Sequence, residues 1–308
     1  MSEITINKAI RILLFAVCMA GFAQLSLAQE MPSDYQQVLK IVGKQGDYKA
    51  NVLKVNIPRN DLKMKIADYS VPTPFGFGGW FAMEKGDGGE DVVMGDLVLT
   101  QGEVNQVMSA LLDHGIEVTA LHNHFFWDEP RVFFMHIHGH GNAVDLANRL
   151  KPALDLIGLA KEGEESAAPK TPTKAATTLD TQKIANIVGH AGEQNGPVYK
   201  ITLGRDDLSV KEMGATINAR MGLNTWAAFV GTDADAAVAG DIAMLENEVN
   251  PVLKALRSNG LDVVAIHHHM INTQPMIIFL HYWGRGPADK LATGFKAAVD
   301  KLGNQSKP

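Results

Sequence analysis

The chain has 308 residues, 46% of them apolar and 20% charged, with a formal net charge of −6. That length suits about two ordinary domains, and the balance of residue types is that of a globular protein rather than a disordered or fibrous one. A negative net charge gives no electrostatic reason to expect a nucleic-acid partner.

Taken in chain order, the first feature is targeting. Lys8 and Arg11 precede the apolar run from Ile12 to Phe22, and Ser26-Leu27-Ala28 presents small residues where a signal peptidase reads them. Residues 1–28 are therefore predicted to be a cleavable signal that exports the protein to the periplasm or beyond, with Gln29 the first mature residue. The apolar run is shorter than the roughly 20 residues of a membrane-spanning helix. Cys18, the only cysteine, lies inside this run, so the mature protein is expected to have neither a disulfide nor thiol chemistry. Phe15-Ala16-Val17 forms a poor lipobox ahead of Cys18, and membrane association is expected only if that cysteine is lipidated.

Helical spacing of Val38, Leu39 and Val42 predicts a helix from Tyr35 to Val42, stopped by Gly43. A strand is predicted from Val52 to Ile57. Pro72, Pro74 and the glycines at 76, 78 and 79 predict that Asp61 to Phe81 is mainly a loop leading into a short strand at Trp80 to Met83. Asp91 to Leu99 alternates as a strand, Glu103 to Leu112 is helical, and Ala143 to Ile157 is a second amphipathic helix. Between those helices lies the stretch from His122 to His140, with histidines at every second position on either side of Asp128-Glu129-Pro130. It reads as a β-hairpin with His124 opposite His136 and His122 opposite His138, a patch of four imidazoles on one sheet face. Leu121, Asn123, Phe125, Phe133, Met135 and Ile137 would form the other face, suited to packing beneath helices.

Residues 158–178 have the composition of a solvated linker, and the chain beyond them repeats the chain before them. Ile187-Val188-Gly189 answers Ile41-Val42-Gly43, Arg205-Asp206-Asp207-Leu208 answers Arg59-Asn60-Asp61-Leu62, Trp226 answers Trp80, and Gly240-Asp241 answers Gly95-Asp96. Ala265-Ile266-His267-His268-His269 answers Ala120-Leu121-His122-Asn123-His124, and Phe279-Leu280-His281 answers Phe134-Met135-His136. The offset holds to within one residue over more than about 100 positions, which marks a tandem duplication. The units are 33–157 and 179–303, each reading helix, two or three strands, helix, two strands, helix. This predicts an α+β fold in which each unit is a hairpin-rich antiparallel sheet with helices on one face, the two units packed pseudo-symmetrically as a sandwich or barrel-like pair.

The segments Ala120-Leu121-His122-Asn123-His124, Glu129-Pro130-Arg131, Phe134-Met135-His136, Gly95-Asp96-Leu97-Val98-Leu99 and Asn250-Pro251-Val252-Leu253-Lys254-Ala255-Leu256 resemble the DUF1259 (LppY/LpqO) family of exported bacterial proteins. The resemblance covers nearly all of the mature chain. It implies an exported location and two copies of the family's unit, and it supplies no mechanism, because the family has no established activity. The poor lipobox departs from the family's lipoproteins.

Three or four imidazoles suit zinc or copper, and they are the ligands of choice where exported thiols would oxidise. The candidate metal ligands are His122, His124, His136 and His138 in the first hairpin and His267, His269 and His281 in the second, where Trp283 stands in place of His138. Asp128 and Glu129 are the candidate catalytic carboxylates, since a metal-bound water wants a nearby base and the second hairpin has Asn272, Thr273 and Gln274 instead. Phe126, Phe134, Phe279 and Trp283 are expected to wall the histidine face. His268 is expected to hydrogen-bond within the core, and Asp96 and Asp241 to serve turn chemistry. The leading expectation is an exported protein that binds a divalent transition metal or small ligand. A metal-dependent hydrolase assisted by Glu129 or Asp128, and a non-metal ligand-binding or structural envelope protein, are the alternatives. No nucleophile elbow, phosphate loop or His-Glu-x-x-His helix is present to name an enzyme class.

Overall fold

A computed structural model describes residues 29–159, 178–271 and 273–303. The expected signal segment with Cys18, and all but the ends of the expected linker, lie outside the described residues.

The first repeat opens with α1 (Ser33–Val42), whose buried Tyr35, Val38 and Val42 follow helical spacing and whose end is set by Gly43 at φ 65°. Strands β1 (Gly46–Lys49), β2 (Val52–Pro58), β5 (Gly78–Lys85), β6 (Asp91–Thr100), β7 (Glu117–His122) and β9 (Val132–Gly141) make one antiparallel sheet in the order β1-β2-β5-β6-β9-β7. Helices α2 (Val104–Asp113) and α3 (Ala143–Leu154) join α1 on one face of it. The second repeat builds the same object from α4 (Thr181–Val188), α5 (Val249–Ser258) and α6 (Ala288–Val299), with strands β10 (Glu193–Asn195), β11 (Val198–Gly204), β14 (Asn224–Gly231), β15 (Ala236–Met244), β16 (Asp262–His267) and β17 (Ile278–Gly286). Its sheet order, β10-β11-β14-β15-β17-β16, is the first order restated. Two antiparallel sheets, each with helices on one face, are the predicted α+β tandem.

Strand alternation decides what each sheet face carries. In β6, Val93, Leu97 and Leu99 enter the core beneath the helices, while Val92, Met94 and Val98 enter cores shared with the second repeat. In β9, Met135 and Ile137 go to the helices and Phe134 to the shared side. The molecule is thus layered helices, sheet, sheet, helices, and the two inner faces cover each other.

Residues 61–81 are more ordered than a loop. They contain β3 (Met64–Ile66) and β4 (Tyr69–Val71), and β3 also pairs with β8 (Asp128–Glu129) in the histidine hairpin. Met64, Ile66, Val71, Phe75 and Phe77 pack on Val198, Ala228, Val230 and Ala237 of the other repeat. In exchange, Val210, Ala215, Ile217 and Met221, around β12 (Lys211–Glu212) and β13 (Ala215–Thr216), pack on Val52, Ala82, Val92 and Met94 of the first. Each repeat lends an arm to the other.

Each sheet is tied to that arm and to a helix by one buried arginine. Arg59 forks onto Asp61 and Glu103 and donates to the Val98 carbonyl at 2.7 Å; Arg205 forks onto Asp207 and Glu248 and donates to the Ala243 carbonyl at 2.6 Å. Planar guanidinium geometry suits such bidentate pairing. Among the described residues, no helix is long and apolar enough to cross a membrane.

Candidate metal centre

The two histidine hairpins meet where the inner sheet faces meet. His122 ends β7 and His267 ends β16, both edge strands; His124 and His269 lie just past them; His136 and His281 are mid-strand in β9 and β17. Thr119 Oγ1 donates to the His269 carbonyl at 2.8 Å and links the two edges. The six rings interleave across the repeats. Ring centroids are 3.7 Å apart for His122 and His267, 3.6 Å for His124 and His281, and 3.9 Å for His136 and His269. Exchanging the repeats maps the first pair onto itself and the other two onto each other. Phe134 stacks on His124 and Phe279 on His269, closing the ends of the array.

The expected hairpin register is corrected. His122 pairs with Phe134, Ala120 with His136 and Glu117 with His138, because a bulge between Val118 and Ala120 shifts the pairing and the connection from His122 to Asp128 is too long for a tight turn. His138 consequently sits apart from the six. Its Nδ1 is 2.9 Å from Glu117 Oε2 and its Nε2 2.9 Å from Glu212 Oε1 of the other repeat. Burial would lower its pKa, yet the Glu212 and Glu117 carboxylates leave it raised. Leu121 is exposed rather than beneath helices, Phe125 enters the core between the repeats, and Phe126 and His268 are exposed. Trp283 is buried in that same inter-repeat core against Phe75 and Phe125.

The candidate carboxylates of the turn have structural placements. Asp128 is buried and its Oδ2 accepts from the Val132 amide at 2.8 Å, fixing the chain after Pro130; burial raises its pKa. Glu129 is exposed, paired in strand register with Lys65.

The carboxylates beside the histidines are instead Asp96 and Asp241, which lie mid-strand and not in turns, paired with His136 and His281 in the sheet register. Asp241 Oδ2 is 3.6 Å from His269 Nε2, and its Oδ1 is 4.0 Å from His281 Nδ1. The glycine before each aspartate serves packing, since a Cβ on Gly95 would lie 2.7 Å from the Trp80 carbonyl oxygen. Facing them are Lys54 and Lys200, whose ammonium groups sit 4.1 Å over the rings of Trp80 and Trp226. Burial pushes both lysines down to about 8 and pushes Asp96 up to about 8; Asp241 is raised by burial and then by Asp96. The sequence signal for these four was a charged residue repeated mid-strand in both units, Val52-Leu53-Lys54-Val55 with Val198-Tyr199-Lys200-Ile201, and Gly-Asp in both.

Burial also holds the six imidazoles neutral: His122 is depressed to about 4, His267 to about 2, and His124, His136, His269 and His281 well below the ordinary value. His281 Nδ1 contacts the Gly240 carbonyl at 3.3 Å and His136 hydrogen-bonds that of Gly95, which assigns the proton to Nδ1 and leaves Nε2 a free lone pair. The Nε2 atoms of all six are buried without a hydrogen-bond partner. Unsatisfied buried acceptors cost stability, and six in one place fit a shared electrophile. Donor atoms of His122, His124 and His281, and those of His122, His136 and His267, already lie within 4.8 Å of one another. Neutral imidazoles in that arrangement fit a divalent transition ion.

A profile described as a Domain of Unknown Function (DUF1259) matches residues 36–156 and again 182–301. The chain belongs to the DUF1259 family. The two matches place one histidine hairpin in each copy of the DUF1259 unit, so the six-ring array is assembled from both copies. No curated protein matches the sequence. Among solved structures the DUF1259 chain is similar to EtuB from Clostridium kluyveri, at 8% identity over 83% of this chain and 90% of that one, with a TM-score of 0.21. It is also similar to the trimeric bacterial microcompartment shell protein PduB, at 10% identity over 84% and 93% with a TM-score of 0.20. The fused permuted hexameric shell protein MSM0275 from the RMM microcompartment gives 13% identity over 71% and 88%, with a TM-score of 0.18. Likeness at these scores carries nothing to the site.

Proposed function

We propose that this protein is an exported metal-binding protein whose interface histidines take a divalent transition ion, zinc or copper. One observation carries the reading: six neutral, buried imidazoles, three from each repeat, stack into one array in which every Nε2 is unpartnered. Water alone would satisfy these atoms singly, whereas a shared ion satisfies three or four together and offsets the cost of burying them. Export is supported by the signal-like character of residues 1–28.

The hydrolytic reading with Asp128 or Glu129 assisting draws no support from their positions, one holding a turn and the other facing solvent. The test is elemental analysis of the mature protein purified without chelators, repeated on His122→Ala and His124→Ala. Stoichiometric zinc or copper, reduced in the variants, is the expected result. Absence of metal even after incubation with zinc and copper salts would refute the metal reading and leave a small-molecule or structural role. Peptide sequencing of the exported form, expected to begin at Gln29, checks the location.

A further inference from the structure

Six imidazoles are more than one ion needs, and their arrangement divides them. Exchange of repeats turns His122 into His267, His124 into His269 and His281 into His136. It therefore carries the trio His122, His124, His281 onto the trio His267, His269, His136, and the two trios together use every imidazole once. Of the divisions that this exchange allows, it is the one in which a trio's donor atoms already converge within 4.8 Å. Its image falls short of that donor-atom convergence but has similar ring separations: centroids of His136 and His269 are 3.9 Å apart, of His267 and His269 5.1 Å, and of His136 and His267 5.3 Å. The corresponding values in the first trio are 3.6, 5.3 and 5.0 Å.

We infer that the centre is a two-ion site, one ion per trio, each ion held by two histidines of one repeat and one of the other, with Asp241 supplying an oxygen to the ion of His136, His267 and His269. The inference rests on the proposed metal binding and deepens it. Asp241 is buried, and its Oδ2 lies 3.6 Å from His269 Nε2. A direct charge-assisted hydrogen bond is shorter, about 2.8 Å. Two ligands each about 2.1 Å from a tetrahedral ion stand about 3.4 Å apart, so this spacing is that of neighbours around an ion. The other oxygen, Oδ1, is buried without a hydrogen-bond partner and lies 4.0 Å from His281 Nδ1, on the side of that ring away from its donor Nε2. The same carboxylate thus touches one trio as a ligand and flanks the other from behind. The overlapping trio His122, His136, His267 describes the rival arrangement, a single ion beside the exchange axis that leaves His124, His269 and His281 without one.

The test is a competition titration of the full mature chain with zinc against a chromophoric chelator, and with cobalt(II) followed by its absorption bands. Two ions per chain are expected. His124→Ala and His269→Ala should each retain one ion, and Asp241→Asn should bind one ion as before and the second at least ten-fold more weakly. One ion per wild-type chain overturns the two-ion inference while leaving the metal reading intact; no ion overturns both. Unchanged binding of both ions by folded Asp241→Asn overturns the role of that carboxylate.

Discussion

Acidifying the metal-free protein is expected to unfold it through the same histidines that would hold the ions. A base whose folded pKa is depressed stays neutral in the fold while the unfolded chain takes up its proton. Its stabilising contribution is therefore complete above the unfolded value near 6.5 and is lost as pH falls toward the folded value. For His122 the window runs from about 6.5 down to about 4, and for His267 down to about 2, both through burial. At pH 5.5, about one unit below the unfolded value, each buried imidazole has cost about 1.4 kcal/mol, so six together remove about 8 kcal/mol. Asp96 works the other way, because its folded pKa is raised to about 8 by burial. Between pH 7.5 and 5.5 it adds about 2–3 kcal/mol, and Asp241 acts in the same direction. The net loss is several kcal/mol, a large share of the stability of an ordinary domain. Urea titrations at pH 7.5, 6.5 and 5.5 in the presence of chelator measure it. The double variant His122→Asn, His267→Asn should flatten the profile by about 3 kcal/mol, two of the six contributions. A stability that changes by less than about 1 kcal/mol over this range would refute the dry, neutral histidine array.

Arg205→Met is expected to lower stability by about 3–5 kcal/mol in urea unfolding, because it strands the buried Glu248 carboxylate without its partner; a loss under about 1 kcal/mol would show that water reaches the pair. Gly222→Ala is expected to cost about 1–3 kcal/mol and to shift tryptophan emission, since the residue is held at φ 99° and the new methyl would sit 3.0 Å from the Trp80 ring beside His269. His138→Leu should leave metal stoichiometry unchanged, as this imidazole is engaged by Glu117 and Glu212; loss of an ion in that variant would return it to the ligand set. Zinc at about 100 times its dissociation constant should add about 2.7 kcal/mol to stability at pH 7.5, and a melting temperature that ignores both zinc and chelator would contradict binding to the folded state.

The duplication was legible because the histidines, the Gly-Asp pairs and the Arg-x-Asp turns recur at one offset, and hydrophobic alternation then fixed which strands face helices. The pairing of the hairpin was not legible. A bulge at Val118 to Ala120 and a long connection through Phe125-Phe126-Trp127 leave no local turn signal from which register can be counted. That slip moved His138 out of the cluster and into contact with the carboxylates of Glu117 and Glu212. Asp96 and Asp241 were misread because glycine before aspartate usually marks a turn, whereas here the glycine is needed for the strand's close approach to its neighbour. Residues 61–81 looked irregular because their order comes from the other repeat's sheet, a contact between positions far apart in sequence.

Each repeat holds only part of the histidine array, and its matching surface is on the other. A lone unit would present unpaired imidazoles and an arm with nothing to lie on, and the natural remedy is a second identical unit about a two-fold axis. The tandem chain has the form of such a symmetric dimer joined into one polypeptide. Joining frees the two halves to differ, and they do: one has His138, Asp128 and Glu129 where the other has Trp283, Thr273 and Gln274. Expressed as one unit, the first repeat should therefore either self-associate through this face or fail to fold, and the single-chain arrangement is what permits two chemically unequal ends on a shared centre.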